Sequence, residues 1–433
     1  MATRNLRILV IGAGIGGLCL AQGLRRRGVS VAVYERDRAP DARLQGYRLS
    51  IEPAGSAALH ACLPAELWQI LVAMSGDQGE RMGVFDEQLR ELMTEDPKAG
   101  ATDPASGSHA VSRVTLRQVL LAGLEDSVHF GKEFVRYERT PDGQVTAFFA
   151  DGTSAVGDVL IGADGARSRV RRQLLPNARR IDTPAIGVGG KLPLTAETMA
   201  WLPGQLMTTK NMILPPRDFL FTAVFRAREE PADVATGLRS RLQSAGLDAG
   251  RLLRDAADND YLMWAFVAHR RSYPSDIGGL RGKALREVVE QRMASWHPVL
   301  RRLVAESDPG TIEQFDFAAS ARVRPWPTTR VTLLGDAIHY MPPVGGMGGN
   351  AALQDAQRLC AALAKVADGG SPLPDALRDY EQEMLGRGFR TVRGVRGYTR
   401  MAISRSHLLR ATARGFFRLC AAAGPLRRAV FSD

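Results

Sequence analysis

The sequence predicts an α/β protein with more than one domain, and three observations carry this prediction. Strand, helix and strand patterns follow one another within residues 6–35, strand-like runs separated by prolines occupy residues 180–268, and residues 373–433 have a helical pattern. The chain has 433 residues, of which 45% are hydrophobic and 24% charged, as in ordinary globular proteins. At about 100–200 residues per domain, this length accommodates two or three domains.

The N-terminal elements form a βαβ unit. Residues 6–11 are an apolar run typical of a buried parallel strand. Residues 17–27 have apolar side chains at helical spacing and stop at Gly28, and residues 29–35 form the next strand. Such a unit has a right-handed crossover and belongs to a parallel sheet.

Similar patterns predict the later elements and the domain boundaries. Helices are expected at residues 54–71, 116–124 and 351–364, and strands at 130–137, 145–150, 158–161, 219–225, 261–268 and 332–334. Residues 1–75, 106–178 and 281–372 are assigned to a nucleotide-binding domain, residues 76–105 and 179–280 to an inserted β-sheet domain, and residues 373–433 to C-terminal helices.

Composition argues against several classes of protein. No stretch reaches about 18 uncharged apolar residues, so no membrane span is expected, and no signal-peptide pattern is present. The four cysteines (Cys19, Cys62, Cys360 and Cys420) lie far apart, which indicates reduced thiols, a cytoplasmic location and no metal site. The net charge of +11 is attributed to arginine-rich composition along the whole chain, so that we expect anionic small molecules and no nucleic acid as partners. Whether the chain is a monomer or a dimer stays open.

The first chemical signal is the motif Gly12-Ala13-Gly14-Ile15-Gly16-Gly17 between the first strand and the first helix. Its first glycine permits a tight turn, its second lets a diphosphate approach the backbone, and its third lets the helix pack on the strand. Glu35 ends the second strand, where a carboxylate accepts hydrogen bonds from an adenosine ribose. Glu35 also opposes a 2′-phosphate, although Arg36 beside it weakens that objection. The context favours a dinucleotide, NAD or FAD, over a glycine-rich turn without a ligand.

Two later segments resemble motifs of one known family. Residues 158–171, DVLIGADGARSRVR, resemble the DG motif of class A flavoprotein monooxygenases, the para-hydroxybenzoate hydroxylase-like family. Residues 334–350, LGDAIHYMPPVGGMGGN, resemble its GD motif and are most similar to the compact tetracycline-inactivating and salicylate-hydroxylase-like members. The resemblance implies a Rossmann-type FAD-binding domain, an inserted β-sheet substrate domain and a C-terminal helical segment.

The resemblance also implies roles for individual residues. Asp336 would accept hydrogen bonds from the ribityl hydroxyls, and residues 343–350 would present N–H groups to the flavin pyrimidine edge. Arg113 would lie near the flavin phosphate or ribityl chain, with a solvated arginine at a helix start as the alternative. Asp164 would lie between flavin and nicotinamide or be structural, and His339 would be structural. The expected cofactor-binding residues are Gly12, Ala13, Gly14, Ile15, Gly17, Glu35, Arg36, Arg48, Arg113, Asp164, Gly335, Asp336, Pro343, Gly346, Gly348, Gly349 and Asn350.

Substrate contacts are expected in the GD loop and in the inserted sheet. The family usually has larger or more polar residues at the positions of Met347 and Gly349, so a relative's substrate does not transfer directly. In the inserted sheet, Arg226, Tyr261 and His269 are candidates, with a scaffold role as the alternative, and no catalytic acid or base is identified. The expected substrate contacts are Arg226, Pro343, Val344, Gly345 and Met347.

The function implied by the resemblance is oxygen insertion into an aromatic or polycyclic molecule, such as a polyketide or another specialised metabolite of the kind made in antibiotic biosynthesis. NADPH or NADH would reduce FAD, and O2 would react through a flavin C4a-hydroperoxide. Epoxidation, Baeyer–Villiger insertion and oxidase or dehydrogenase chemistry are alternatives on the same fold. A halogenase would need a W-x-W-x-I-P stretch and a dithiol reductase a C-x4-C pair, both absent, while intact DG and GD motifs argue against a non-enzymatic scaffold.

The last segment, residues 404–431, mixes apolar residues with many arginines. We expect it to pack across both domains. The alternative is an amphipathic helix on an anionic membrane.

Overall fold

The computed structural model describes residues 6–40, 48–76, 81–95, 103–226, 232–250, 252 and 260–423, and it confirms the predicted α/β class. The strands are β1 Arg7–Ile11, β2 Ser30–Tyr34, β3 Leu49–Ile51, β4 Arg81–Phe85, β5 Glu91–Thr94, β6 His109–Val111, β7 Val128–His129, β8 Phe134–Arg139, β9 Val145–Phe149, β10 Ser154–Gly157, β11 Val159–Gly162, β12 Arg180–Pro193, β13 Thr209–Ile213, β14 Phe219–Phe225, β15 Tyr261–His269, β16 Glu313–Ser320 and β17 Val331–Leu333. The α-helices are Ile15–Arg26, Pro53–Cys62, Ala65–Ala73, Arg113–Leu121, Arg169–Leu174, Ala196–Trp201, Gly204–Thr208, Ala232–Ser244, Gly282–Arg292, Pro298–Ala305, Asp336–His339, Met347–Ala367, Leu373–Ala402 and His407–Ala422.

A five-stranded parallel sheet in the order β17-β11-β1-β2-β7 forms the Rossmann-type domain. The strands β1 and β11 are almost wholly buried, as continuous apolar runs require when both faces of a sheet are covered. Because the strands are parallel, β1, β11 and β17 end at one edge of the sheet. The glycine, DG and GD motifs follow these three strands, so all three motifs meet at that edge.

A seven-stranded sheet in the order β16-β12-β15-β14-β13-β4-β5 lies beside the Rossmann-type domain. One face is covered by helices, including Gly282–Arg292 and Pro298–Ala305, whose buried leucines pack with Trp264 and Phe266. The other face, here called the inner face, carries Phe221, and Phe221 packs against the same apolar cluster as Val344 of the GD loop. Smaller sheets complete the fold in the orders β10-β9-β8 and β3-β6.

Residues 281–320 correct the expected domain boundary. The sequence assigned them to the nucleotide-binding domain, but β16 pairs with β12, and the two helices before it pack on the seven-stranded sheet. As an edge strand, β16 keeps the first half of its length partly exposed and polar. It therefore lacks the apolar alternation of the central strands β14 and β15.

Local signals explain other differences at element ends. The expected helix 54–71 is two helices, because Pro64 lies between Pro53–Cys62 and Ala65–Ala73. Helix Arg113–Leu121 begins earlier than expected, because the Ser112 hydroxyl accepts a hydrogen bond from the Val114 N–H.

The four cysteines are buried, and none of them forms a disulfide. At Gly23, helix Ile15–Arg26 comes close to its neighbours, and a Cβ there would lie 2.7 Å from Cys360 Sγ and 3.1 Å from Cys62 Sγ. The thiols therefore fill the contact between helices. Among the described residues, no helix combines the length and apolar character that a membrane crossing requires.

Replacing Trp264 by Ala should destabilise the protein severely. Its side chain is fully buried, and its Nε1–H donates to Ser307 Oγ at 2.8 Å. We expect the free energy of unfolding, measured by urea titration, to fall by about 3–5 kcal/mol. Phe416→Ala, at an exposed aromatic residue, should change it by no more than about 0.5 kcal/mol. Equal effects of the two substitutions would contradict this description of the core.

Candidate active site

Glycine is required in the first motif by contacts with the DG segment. Gly12 has a φ of +109°, and a Cβ there would lie 2.5 Å from the carbonyl oxygen of Ala163. A Cβ at Gly17 would lie 2.2 Å from the carbonyl oxygen of Gly12. A Cβ at Gly14 would meet no atom within 4 Å. The motif therefore packs tightly on one side and leaves open space in front of Gly14, where a bound group can approach the backbone.

Two features make this space suitable for an anion next to a sugar. Gly14 is the N-cap of helix Ile15–Arg26, and no side chain caps that end, so the helix directs N–H groups and a partial positive charge towards it. Glu35 is buried, and its carboxylate accepts hydrogen bonds from the N–H groups of Ala13 at 2.7 Å and Asp37 at 3.0 Å. Glu35 thus lies directly against the glycine motif, while Arg36 is exposed. The expected contact of Glu35 with an adenosine ribose stays a prediction.

The GD loop lies against the same motif. Gly335 has a φ of +60° and precedes Asp336, which begins the short helix Asp336–His339. A Cβ at Gly348 would lie 3.5 Å from Asp336 Oδ1, and a Cβ at Gly349 would lie 3.3 Å from Ile15 Cδ1. The Asp336 carboxylate, the start of helix Met347–Ala367 and the first glycine loop therefore surround one space.

Asn350 fixes the GD loop to strand β3. Its Oδ1 accepts a hydrogen bond from the Glu52 N–H at 2.9 Å, and its Nδ2 donates to the carbonyl oxygens of Ser50 at 2.9 Å and Gly346 at 3.1 Å. Gly346 has a φ of +66°, in the left-handed region, and a Cβ there would lie 2.7 Å from the Ser50 carbonyl oxygen. The hydrogen bonds of Asn350 therefore hold the GD loop in a fixed conformation against strand β3.

A buried ionic network supports the start of the GD motif. Asp355 is fully buried, and its Oδ2 accepts hydrogen bonds from the Gly335 N–H at 2.8 Å and from His339 Nε2 at 2.6 Å. Its Oδ1 pairs with Arg387 of helix Leu373–Ala402. Although burial opposes both charges, the His339 interaction lowers the pKa of Asp355, and the Asp355 carboxylate raises the pKa of His339. His339 is thus held in a structural pair, in line with the sequence interpretation.

The charges of Arg113 and Asp336 influence each other. Burial raises the pKa of the Asp336 carboxyl, whereas the charges of His339 and Arg113 lower it. Desolvation of the guanidinium lowers the pKa of Arg113, whereas the charge of Asp336 raises it. Tyr261 of the inner face also raises the pKa of Arg113, and its hydroxyl accepts a hydrogen bond from the Arg48 N–H at 2.8 Å. Arg113 begins helix Arg113–Leu121, and the residue as a whole is exposed. A flavin contact therefore stays a prediction for Arg113, beside the alternative of a solvated arginine at a helix start.

Asp164 combines a structural contact with an open acceptor. Its Oδ2 accepts hydrogen bonds from the N–H groups of Arg169 at 2.7 Å and Val170 at 3.3 Å, at the start of helix Arg169–Leu174. Its Oδ1 is buried without a hydrogen-bond partner among the residues that the structure describes. Its Cα would lie 3.0 Å from a Cβ at Gly12, so the open acceptor lies beside the first glycine motif.

The inner face supplies an apolar wall opposite the GD loop. Phe221 and Phe315 are half-buried and pack with Val344 in one apolar cluster, and Met263 packs beside them. Gly187 and Gly189 of β12 leave room for the Phe315 ring, because a Cβ at Gly187 would lie 2.2 Å from that ring. The space between the GD loop and this wall, here called the cleft, is therefore bordered by aromatic and aliphatic surface.

Arg226, one of the expected substrate contacts, directly follows Phe225, the last residue of β14. Its Nη2 lies 3.6 Å from Met199 Sδ. A substrate contact stays a prediction for this residue. Of the loop residues, Val344 packs into the cleft wall, whereas Pro343 and Met347 are exposed.

The sequence analysis assigned no role to three further residues at the site, of which two are lysines outside the motifs and one is an arginine of the DG segment. Lys191 Nζ lies 4.5 Å from the Tyr261 ring centre on the inner face. Lys210 Nζ contacts Ser50 Oγ at 3.3 Å beside the GD loop. Arg171 Nη1 donates to the Ala337 carbonyl oxygen at 2.7 Å and joins the DG and GD segments. Only the period-two spacing of β12 and β13 could have indicated the two lysines.

Comparison with known proteins fits this geometry. A family model described as an FAD binding domain matches residues 287–395, and one described as an NAD(P)-binding Rossmann-like domain matches residues 10–62. An FAD-dependent urate hydroxylase of Klebsiella pneumoniae is 30% identical over 389 residues, covering 88% of this chain and 86% of that protein. A crystal structure from Photorhabdus luminescens, described as an FAD-containing monooxygenase, is 35% identical with a TM-score of 0.79 and covers 91% of this chain and 98% of that one.

The chain belongs to the FAD-dependent monooxygenase family. This confirms the resemblance read from the three motifs, and FAD is the cofactor of the family's fold. The chain spans less than half the length of some relatives: a dual O-methyltransferase/FAD-dependent monooxygenase of Phaeosphaeria nodorum is 31% identical over 84% of this chain but only 40% of that protein.

The residues of this monooxygenase-family chain fit FAD. A dinucleotide would fill the open space at Gly14 and would contact Asp164 Oδ1, which has no hydrogen-bond partner in the described part of the chain. The glycine motif and Glu35 would hold the adenosine diphosphate part. Asp336, Arg113 and the GD loop would hold the flavin part.

Gly14→Ala should weaken FAD binding without unfolding the protein. The φ of −76° at Gly14 suits alanine, and the new methyl group would enter only the space in front of the motif. We expect the FAD dissociation constant, measured by flavin fluorescence, to rise at least about tenfold, the equivalent of roughly 1.4 kcal/mol. Gly386→Ala, on helix Leu373–Ala402 with nothing within 4 Å, is the control and should bind FAD normally. Normal FAD affinity in Gly14→Ala would show that the diphosphate lies elsewhere.

The His339–Asp355 pair should give stability a defined pH dependence. The pKa of His339 is raised in the folded state. Its contribution to the free energy of unfolding is therefore complete below the unfolded-state pKa of 6.5 and is lost as the pH rises through the folded-state pKa. Because the pKa of Asp355 is lowered, its contribution is present above 3.8 and is lost as pH falls through the folded value. Urea unfolding from pH 5 to 9 should show the alkaline loss in the wild type and not in His339→Gln. The same alkaline slope in both proteins would contradict the pair.

Proposed function

We propose that this protein is an FAD-dependent monooxygenase that uses NADPH or NADH and inserts one oxygen atom of O2 into an aromatic or polycyclic small molecule. The observation that supports this proposal is that Phe221 of the inner face and Val344 of the GD loop pack against the same apolar cluster. The urate hydroxylase relative acts on a flat heteroaromatic ring, which supports a substrate of this shape. A polyketide-type ring system is the substrate class we favour.

When bound, FAD supplies the activation of O2 and the transfer of one oxygen atom. The chain itself orients and shields the reaction. The first turn of helix Met347–Ala367 has no side-chain cap, so its N–H groups stabilise negative charge next to the GD loop. Phe221 and Phe315 hold an apolar ring and exclude water.

A cation at the inner face would favour an ionised substrate. Lys191 lies beside the Tyr261 ring, and its positive charge would lower the pKa of a phenol or enol in the cleft. An ionised oxygen makes the ring more electron-rich at the carbon that is oxygenated. We therefore propose that Lys191 positions and ionises the acidic group of the substrate.

The reductant has a candidate position outside the cleft. A polar groove of about 280 Å³ is lined by Arg167 of the DG segment, Arg180, Arg270, Thr183, Asp182 and Asp316, among others. Its three arginines suit the diphosphate of a nicotinamide dinucleotide, although the two aspartates reduce its net charge. The buried, unpaired thiols support a reducing compartment such as the cytoplasm.

Substrate-stimulated oxidation of NADPH or NADH tests the proposal. The purified protein should contain FAD, and a panel of phenols and polycyclic quinones should include compounds that accelerate nicotinamide oxidation and gain one oxygen atom by mass spectrometry. Hydrogen peroxide without any oxygenated product would favour an oxidase. Protein that cannot be reconstituted with FAD would contradict the proposal.

Lys191→Met should reduce the activity on ionisable substrates much more than the activity on neutral substrates. Because the charge acts on an anionic oxygen, we expect kcat/KM to fall about tenfold or more for an acidic phenol, and the pH optimum for that substrate to move to higher pH. Neutral methyl ethers that the enzyme accepts should lose much less. Lys283→Met, at an exposed lysine remote from the cleft, is the control. Equal losses for both substrate types would contradict the proposed role of Lys191.

A further inference from the structure

The positive charge of the chain is concentrated towards its C-terminal end, contrary to the even spread expected from the sequence. Residues 384–432 contain 11 Arg and no Lys, Asp or Glu. The net charge of the whole chain is +11, so basic and acidic residues balance in the rest of the molecule. Part of this segment forms helix His407–Ala422.

Two arginine side chains of this helix, Arg410 and Arg414, point towards the body of the protein and not towards solvent. Arg410 is only 3% exposed, and its Nη2 donates to the Asp218 carbonyl oxygen at 2.6 Å. Arg414 Nε donates to the Leu214 carbonyl oxygen at 2.7 Å, and the guanidinium pairs with Glu87. Phe417 is buried on the same side. This face therefore fastens the helix to the seven-stranded sheet, largely through its charged residues.

The opposite face of the helix is apolar and exposed. Leu408, Leu409, Phe416 and Leu419 have exposures of 76%, 45%, 42% and 57%. Together they are half of the eight large hydrophobic side chains exposed in the described part of the chain. Leu408 and Leu419 lie three turns apart on one stripe of the helix, so the apolar surface is continuous.

A surface helix whose outer face contacts only solvent has the reverse pattern, with apolar residues inward and charged residues outward. The exposed stripe is therefore a surface for a partner. The partner should combine apolar material with negative charge, because the exposed Arg405 and Arg418 flank the stripe and the helix has no acidic side chain. A second copy of the chain would bring like charges together, and a nucleic acid would leave the leucines uncovered.

We propose that helix His407–Ala422 docks the protein onto a membrane surface that contains anionic phospholipids. Leu408, Phe416 and Leu419 enter the boundary between headgroups and acyl chains, while Arg405 and Arg418 contact the phosphates. The helix lies on the surface and does not cross the bilayer. This inference is independent of the chemistry of the active site.

Vesicle sedimentation of the full-length, FAD-loaded protein tests this proposal. Vesicles with equal parts of phosphatidylglycerol and phosphatidylcholine should bind the protein, vesicles of phosphatidylcholine alone should bind it weakly, and raising the salt concentration should release it. The double variant Leu408→Ser with Leu419→Ser should bind at least about tenfold more weakly, because it removes two apolar anchors.

Matched variants test whether vesicle binding depends on this helix face or on exposed apolar residues in general. Val135→Ser with Val156→Ser alters two exposed apolar residues elsewhere on the molecule, and this control should bind like the wild type. Arg405→Glu with Arg418→Glu should lose the preference for phosphatidylglycerol. All variants should retain FAD and wild-type thermal unfolding.

Three outcomes would overturn the proposal. The first is a wild-type protein that does not sediment with the anionic vesicles. The second is full binding by the leucine double variant. The third is a wild-type dimer in solution that the leucine variant dissociates while vesicle binding is absent, which would assign the surface to a second copy.

Discussion

The buried carboxylate of Asp355 is the interaction on which the candidate active site depends. It accepts the Gly335 N–H and the His339 ring at one oxygen and pairs with Arg387 at the other. A carboxylate without these partners would be strongly disfavoured in the interior. The four groups come from the end of a strand, a short helix and two long helices, so satisfying one charge fixes the relative positions of all these elements. The position of Asp336, and with it the flavin side of the site, follows from that arrangement.

Parallel strand order supplies the second constraint. The chain leaves β1, β11 and β17 at one edge, and side-chain-free glycine positions let the three loops approach one another: Gly12 meets Ala163, and Gly349 meets Ile15. The inserted sheet is joined to this edge through the Tyr261 hydroxyl, which accepts the Arg48 N–H. Cofactor loops and cleft wall are therefore held by direct contacts, and the cleft does not depend on a long linker.

The parts of this picture that sequence could predict are those that depend on local pattern. The apolar runs and glycine spacings predicted β1, β14 and the tight turn after β1, because strand burial and tight turns leave clear local signals. Sequence could not predict the partners of Asp355 and Arg113, which come from distant parts of the chain. The edge strand β16 was missed because solvent exposure removes the apolar alternation, and the outward leucines of the last helix became visible only once its inward arginines were placed.

The most direct test of this account is the affinity of Asp355→Asn for FAD, measured by fluorescence titration of the apoprotein. Asp368→Asn, an exposed aspartate at the end of the same helix, is the matched control. The account predicts that Asp355→Asn binds FAD at least about a hundredfold more weakly, because removing one partner of a buried pair costs roughly 3–5 kcal/mol, and that Asp368→Asn binds normally. An Asp355→Asn protein that binds FAD with wild-type affinity would show that the buried network does not hold the site in place.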